Sequence, residues 1–126
     1  MKILEPRNFP PLLKEIPDPP EQLYLEGEFP GTDSIFLGVV GTRKFSIYGK
    51  QACEKLIEGL RGYDIVIVSG LAIGIDAIAH RAALNAGLKT VAVPGSGIDR
   101  TVLHPRSNHH LADDIIKSGG ALISEF

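Results

Sequence analysis

From residue 34 onward, short apolar runs alternate with amphipathic stretches. Ile35-Phe36-Leu37-Gly38-Val39-Val40, Ile65-Val66-Ile67-Val68, Thr90-Val91-Ala92-Val93 and Ala121-Leu122-Ile123-Ser124 are continuous and of strand length, the pattern of strands buried on both faces. Between them apolar residues return at helical spacing. Ala52, Cys53, Leu56, Ile57 and Leu60 form one stripe and leave Lys50, Glu54, Lys55 and Glu58 to solvent. Ile75, Ile78, Ala79, Ala82, Ala83 and Ala86 form a second, mostly of small side chains that permit close packing on a sheet. A third helix from Ser107 turns Leu111, Ala112, Ile115 and Ile116 inward and stops at Ser118-Gly119-Gly120. Strand and helix in alternation predict a three-layer α/β domain with a short parallel sheet over residues 35–126, wound by right-handed crossovers. Residues 1–34 hold most of the prolines and no sustained period, which predicts an extended segment lying across the domain. Nothing in this pattern covers the outer edge of the Ala121–Ser124 strand, so that edge is expected to be open unless a partner pairs with it.

Each of the first three strands runs into a glycine turn: Gly41-Thr42-Arg43-Lys44, Ser69-Gly70-Leu71-Ala72-Ile73-Gly74, and Pro94-Gly95-Ser96-Gly97. The first N–H groups of a helix lack partners and its dipole is positive there, so such a turn can hold a phosphate without a catalytic side chain. In a parallel sheet all three turns lie at the carboxyl edge, where open α/β sheets bind ligands. The second turn, opening an alanine-rich helix, is expected to be the principal cradle, with Gly70 and Gly74 admitting the ligand to the backbone. Arg43 can fork onto a phosphate or stack on a base, and Lys44 adds charge beside it.

Asp76 and His80 sit four residues apart on one helix face. Asp76 is expected to cap the helix start, and His80 to hydrogen-bond to that aspartate or to the backbone. Four histidines and the single Cys53 show no zinc spacing, so no metal and no cofactor is expected. No catalytic constellation is present, which argues against an enzyme. The net charge of −2 at pH 7 gives no global attraction to a polyanion, so any such affinity must come from local clustering of cations. One cysteine excludes an internal disulfide, and no apolar run is long enough to cross a membrane. A cytoplasmic setting is the expectation.

Gly41-Thr42-Arg43 with Tyr48-Gly49, Ser69-Gly70-Leu71-Ala72 with Gly74-Ile75-Asp76 and Ala79-His80-Arg81, then Gly95-Ser96-Gly97-Ile98-Asp99 with Pro105 and Asn108, in that order, resemble the DNA processing protein A (DprA/Smf) family. The lead-in Phe9-Pro10-Pro11-Leu12-Leu13 is similar as well. The resemblance implies an extended Rossmann-like fold, incomplete here relative to the family. It implies single-stranded DNA binding, DNA processing and RecA loading during natural transformation, with RecA and either a homodimer or a complementing chain as partners. It also places Arg106, which precedes Asn108 in the matched motif, in the groove in preference to Arg100. Ile73 stands where the family commonly has arginine, and His104 where it has tyrosine; the loss of the arginine makes the groove less basic.

The implied site therefore comprises Gly41, Thr42, Arg43, Lys44, Ser69, Gly70, Gly74, Gly95, Ser96, Gly97, Arg106 and Asn108, with Asp76 and His80 as structural residues. Tyr48 and Phe45 are the aromatics placed to stack on bases. A second reading uses the same turns for a small nucleotide in a sensor module. A third, a phosphoribohydrolase, lacks its catalytic glutamate motif, because Ile98-Asp99 follows Gly95-Ser96-Gly97.

Overall fold

The computed structural model describes residues 1–31 and 33–126. The elements are β1 (Lys2–Leu4), β2 (Leu23–Gly27), β3 (Ile35–Gly38), α1 (Ile47–Glu58), β4 (Ile65–Ser69), α2 (Ile75–Asn85), β5 (Thr90–Ala92), α3 (His109–Lys117) and β6 (Ala121–Ser124). They build one six-stranded sheet in the order β1-β2-β6-β5-β4-β3. The predicted strands form its parallel core: Ile35 pairs with Ile65, Ile67 with Thr90, and Ala92 with Leu122.

Two expectations about the chain's first part are corrected. Residues 1–34 do not merely lie across the domain, because β2 pairs antiparallel with β6 (Leu25 with Ile123) and β1 pairs with β2. The division expected at residue 34 therefore falls inside one sheet. The edge of β6 is closed by β2; the sheet's outer edges are β1 and β3, and on β3 Ile35 is 66% and Leu37 42% exposed. Leu23-Tyr24-Leu25-Glu26 does alternate, with Leu23 and Leu25 buried, but the run is too short to stand out from its proline-rich surroundings.

Strand register sorts the core into two faces. On one face, α1 and α2 enclose Ile67 with Cys53, Ile57, Ala79, Ala82 and Ala83. On the same face, α3 sets Leu111, Ala112 and Ile115 on Ala92 and Leu122. The alanines of α2 allow its close approach, as the sequence suggests. The opposite face carries Val66, Val91, Ala121 and Ile123, and its third layer is the N-terminal segment, which contributes Phe9, Leu13 and Phe29. Phe29 stacks on Phe36 with ring centroids 5.5 Å apart. No α-helix covers this second face among the described residues. The helix stop at Ser118–Gly120 is formed as expected, with Gly119 N–H donating to Ile116 O at 3.1 Å and Gly120 N–H to Ile115 O at 2.9 Å.

Candidate functional site

The three glycine turns do lie at the carboxyl ends of β3, β4 and β5, but they are built differently. In the first, Thr42 Oγ1 accepts the Lys44 N–H at 3.1 Å, and Ser46 Oγ accepts the Gly49 N–H at 3.0 Å to cap α1. These bonds fix the turn and leave the N–H groups of Gly41, Thr42 and Arg43 without partners among the described residues. Arg43 and Lys44 are exposed, and neither side chain makes an ion pair or hydrogen bond among the described residues. Tyr48 and Phe45 beside them are 80% and 44% exposed.

The second turn is tied to its neighbours at its two ends, while the N–H groups of Leu71, Ala72, Ile73 and Gly74 have no partner among the described residues. Gly70 N–H donates to Asp76 Oδ2 at 3.1 Å, Ile75 N–H donates to Thr42 O at 3.1 Å, and Ala77 N–H to Ala72 O at 3.1 Å. Leu71, at φ 61°, is buried. Gly74 has φ 89°, and a Cβ there would collide with Thr42 O and stand 2.6 Å from Arg43 Cα. A Cβ on Gly41 would likewise stand 2.7 Å from the Ile75 side chain. These glycines admit another stretch of the same chain, not a ligand. Of the residues expected to form this cradle, Ser69 is 3% exposed and the Gly70 N–H is taken by the Asp76 carboxylate. The buried Asp76 charge in the first turn of α2 already answers the helix dipole.

Asp76 therefore does not cap its own helix, whose N-cap is Gly74 with no side-chain bond. From its place inside the first turn it reaches back and ties down the turn that precedes the helix. His80 bonds neither Asp76 nor a carbonyl with its Nδ1, but Thr90 Oγ1 at 2.7 Å, while Thr90 Oγ1 donates to Ile67 O at 2.7 Å. Since the threonine's proton goes to Ile67, His80 Nδ1 carries the hydrogen that Thr90 accepts. Complete burial pushes the His80 imidazole down to about 4, so it is neutral at pH 7.

In the third turn Ser96 Oγ accepts the His104 N–H at 3.0 Å and donates to Gly97 O at 3.1 Å, while Ser96 O accepts from Ser124 Oγ at 2.7 Å. Its hydroxyl is thus committed to shaping the loop. The N–H groups of Gly95, Ser96 and Gly97 have no partner among the described residues, and successive free amides of this kind form an anion-binding concavity. Asn108 Nδ2 donates to Leu71 O at 2.8 Å, locking the start of α3 to the second turn. Arg106 is exposed and unpaired among the described residues. Arg100, by contrast, bridges Glu26 at 3.0 Å and Asp113 at 2.9 Å. It staples β2 to α3 and is not available to a ligand.

The three turns, with Arg43 and Lys44 on the first and Arg106 beyond the third, are linked through Thr42 O and Leu71 O. Ser46 was missed in the sequence reading. Its signal is a serine placed three residues ahead of the N–H it caps. No group of three or more His, Cys, Asp or Glu residues suited to a metal occurs among the described residues.

Fold and ledge define an α/β protein of the Rossmann type whose carboxyl-edge loops offer amides and unpaired cations to an anion. The family model for DNA recombination-mediator protein A matches residues 1–126, and the chain belongs to that family, DprA/Smf. Protein Smf of Escherichia coli is 42% identical over 118 residues, which are 94% of this chain and 31% of that protein. DNA processing protein DprA of Streptococcus pneumoniae is 43% identical over 114 residues, 90% of this chain and 39% of the relative. The X-ray structure of the pneumococcal protein superposes with a TM-score of 0.83 at 38% identity, covering 99% of this chain and 44% of that one. DNA processing protein A of Helicobacter pylori, described with a unique single-stranded DNA binding mode, superposes with a TM-score of 0.85 at 32% identity over 99% of this chain and 55% of that one. The chain thus spans about a third of the curated relatives' length and about half of the solved chains.

Proposed function

We propose that this chain binds single-stranded DNA along the carboxyl edge of its sheet, as a part of the DNA-processing machinery of its family. The observation that carries this reading is the set of cations without partners, Arg43, Lys44 and Arg106, beside free amides on two turns of a protein whose net charge is −2. Phosphates would be held by the guanidinium groups and by the N–H groups of Gly41–Arg43 and Gly95–Gly97. Tyr48 or Phe45 would stack on a base, at about 1–3 kcal/mol per base. The ledge reads no base edge, so sequence preference should be weak and salt dependence strong. The work done is binding and hand-off, with no bond made or broken. The family resemblance supports, as parts of the same proposal, processing of incoming DNA in natural transformation, loading of RecA, and a homodimer or complementing chain as the assembled form.

Fluorescence anisotropy of a labelled oligothymidylate, titrated at several salt concentrations against duplex and mononucleotide competitors, tests the reading. Salt-sensitive binding that neither competitor displaces is expected. Displacement by a mononucleotide would replace it with the nucleotide-sensor reading, and absence of binding would refute it for this chain.

A further inference from the structure

The third turn belongs to a loop that closes on itself. His104 N–H reaches back to Ser96 Oγ at 3.0 Å, so residues 96–104 form a ring, with the free amides of Gly95–Gly97 at the start of one limb and Arg106 just beyond the other. Asp99 makes the bend between the limbs. Its Oδ1 accepts from Thr101 N–H at 2.9 Å and from Thr101 Oγ1 at 2.7 Å, and its carbonyl accepts the N–H groups of Val102 and Leu103 at 2.9 and 2.8 Å. The returning limb bears on the outgoing one, since a Cβ on Gly97 would stand 2.9 Å from the Val102 side chain. Where the tip of this ring sits therefore sets how its two anion-holding parts face each other.

Arg100 stands at that tip. A guanidinium has five N–H donors, and here each has an acceptor. Nη1 donates to Glu26 Oε1 at 3.0 Å and to Ile98 O at 2.8 Å. Nη2 donates to Glu26 Oε2 at 3.3 Å and to Asp113 Oδ1 at 2.9 Å, and Nε to the same Asp113 oxygen at 3.2 Å. Glu26 comes from β2, 74 residues earlier in the chain, Asp113 from α3, and Ile98 is the residue after Gly97. The Arg100 and Glu26 side chains are 31% and 32% exposed, so the pair is partly withdrawn from solvent, and its planar fork fixes direction as well as distance. Ile98 and Leu103, each 1% exposed, pin the two limbs in the core. Arg100 fixes the tip between them.

Resting on the reading of the carboxyl edge as a DNA-binding ledge, we infer that Arg100 is a positioning residue for that binding, and that through Glu26 the N-terminal strand β2 holds the third turn ready for a phosphate without touching the DNA. The charges of the cluster oppose a simpler electrostatic role. Glu26 and Asp113 set two negative charges against the one positive charge of Arg100, so as bare charges the three groups repel a polyanion. What the cluster adds to binding is preorganisation of the loop.

The sign of one effect tests this. Neutralising an acid beside the ledge tightens DNA binding if charge alone matters and weakens it if that acid positions the turn. In anisotropy titrations with labelled oligothymidylate, Glu26→Gln and Asp113→Asn should each lower affinity by about three- to tenfold and leave the salt slope as it was. In an Arg100→Met background, Glu26→Gln should change affinity no further. NMR relaxation of the backbone amides, measured without DNA, should give Gly95–Gly97 rigid-backbone order parameters of about 0.85 in the wild type and lower ones in Arg100→Met and Glu26→Gln, with circular dichroism showing the wild-type fold. Tighter or unchanged binding by Glu26→Gln, additive effects in the double variant, or a salt slope flatter by about one phosphate contact in Arg100→Met, which would put Arg100 on the DNA, would each overturn the inference. Unaltered order parameters at Gly95–Gly97 in both variants would overturn it as well. That measurement decides even if the wild type binds no oligothymidylate, the result that refutes the ledge reading itself.

Discussion

The second glycine turn and the two beside it present the same lettering but use their glycines differently. Gly70 and Gly74 let the protein's own Asp76 carboxylate and Thr42 carbonyl come close, so the Gly70 donor and the space at Gly74 are consumed. Gly95 has open space around it, and the N–H groups of Gly41–Arg43 stay free among the described residues. A glycine-rich turn after a strand reports that something approaches the backbone closely. Whether that something is a ligand or another loop depends on which acceptors the rest of the fold delivers. Here the second turn serves as the mount for the two beside it.

The largest test of this contrast is Gly74→Val. With φ at 89° and Thr42 O in the way of any Cβ, it should cost about 3 kcal/mol or more in urea unfolding, whereas Gly95→Ala should stay within about 0.5 kcal/mol. A mild Gly74→Val would mean that the first turn does not press on Gly74 as closely as Thr42 O indicates.

Acid should act on the same central region. His80 is depressed to about 4 in the folded protein from 6.5, so between those values the unfolded chain binds the extra proton. Its contribution is fully present above pH 6.5 and is lost as pH falls toward 4, in total about 3 kcal/mol. Unfolding titrations of wild type and His80→Gln should show the extra slope in the wild type alone.

Next in size, Asp76→Ala should destabilise by about 1–2 kcal/mol by orphaning the Gly70 N–H and removing a charge from the α2 dipole. Binding should fall only as far as the flanking turns lose alignment. Arg43→Ala should do the reverse: stability unchanged, oligothymidylate affinity lower by about tenfold for all sequences, and the salt slope flatter by about one phosphate contact. Smallest of all, Ser69→Ala should leave binding unaltered and stability within about 0.5–1 kcal/mol, since its buried hydroxyl has no partner. Weakened DNA binding in Ser69→Ala would place the Ser69 hydroxyl itself in the site.

The parallel core was legible because it is local. The apolar runs at Ile65–Ser69 and Ala121–Ser124 and the alanine stripe of α2 carry their period within a few residues, and the carboxyl-edge position of the turns follows from crossover handedness. Motif position favoured Arg106 over Arg100, and in the structure Glu26 and Asp113 hold Arg100 whereas Arg106 has no partner among the described residues. Less visible was β2, whose five residues sit among prolines and become a strand only because β6 offers an unpaired edge. Nor could sequence order show that Gly70 N–H would meet Asp76, or that His80 would choose Thr90 over the aspartate four residues away, since both choices depend on how tightly α2 sits against its neighbours.

By itself, then, the sequence determined an α/β chain with helices of known inward stripe, three glycine turns at one sheet edge, and a small set of arginines and lysines available to an anion, because periodicity and turn chemistry act over a handful of residues. The tertiary structure alone decided which donors of those turns the chain itself takes up, which cations are unpaired among the described residues, and that β2 closes the edge of β6. Those properties belong to pairs of groups far apart in the chain, and hydrogen-bond and charge partners of that kind are assigned only when the sheet brings them within about 3 Å of one another.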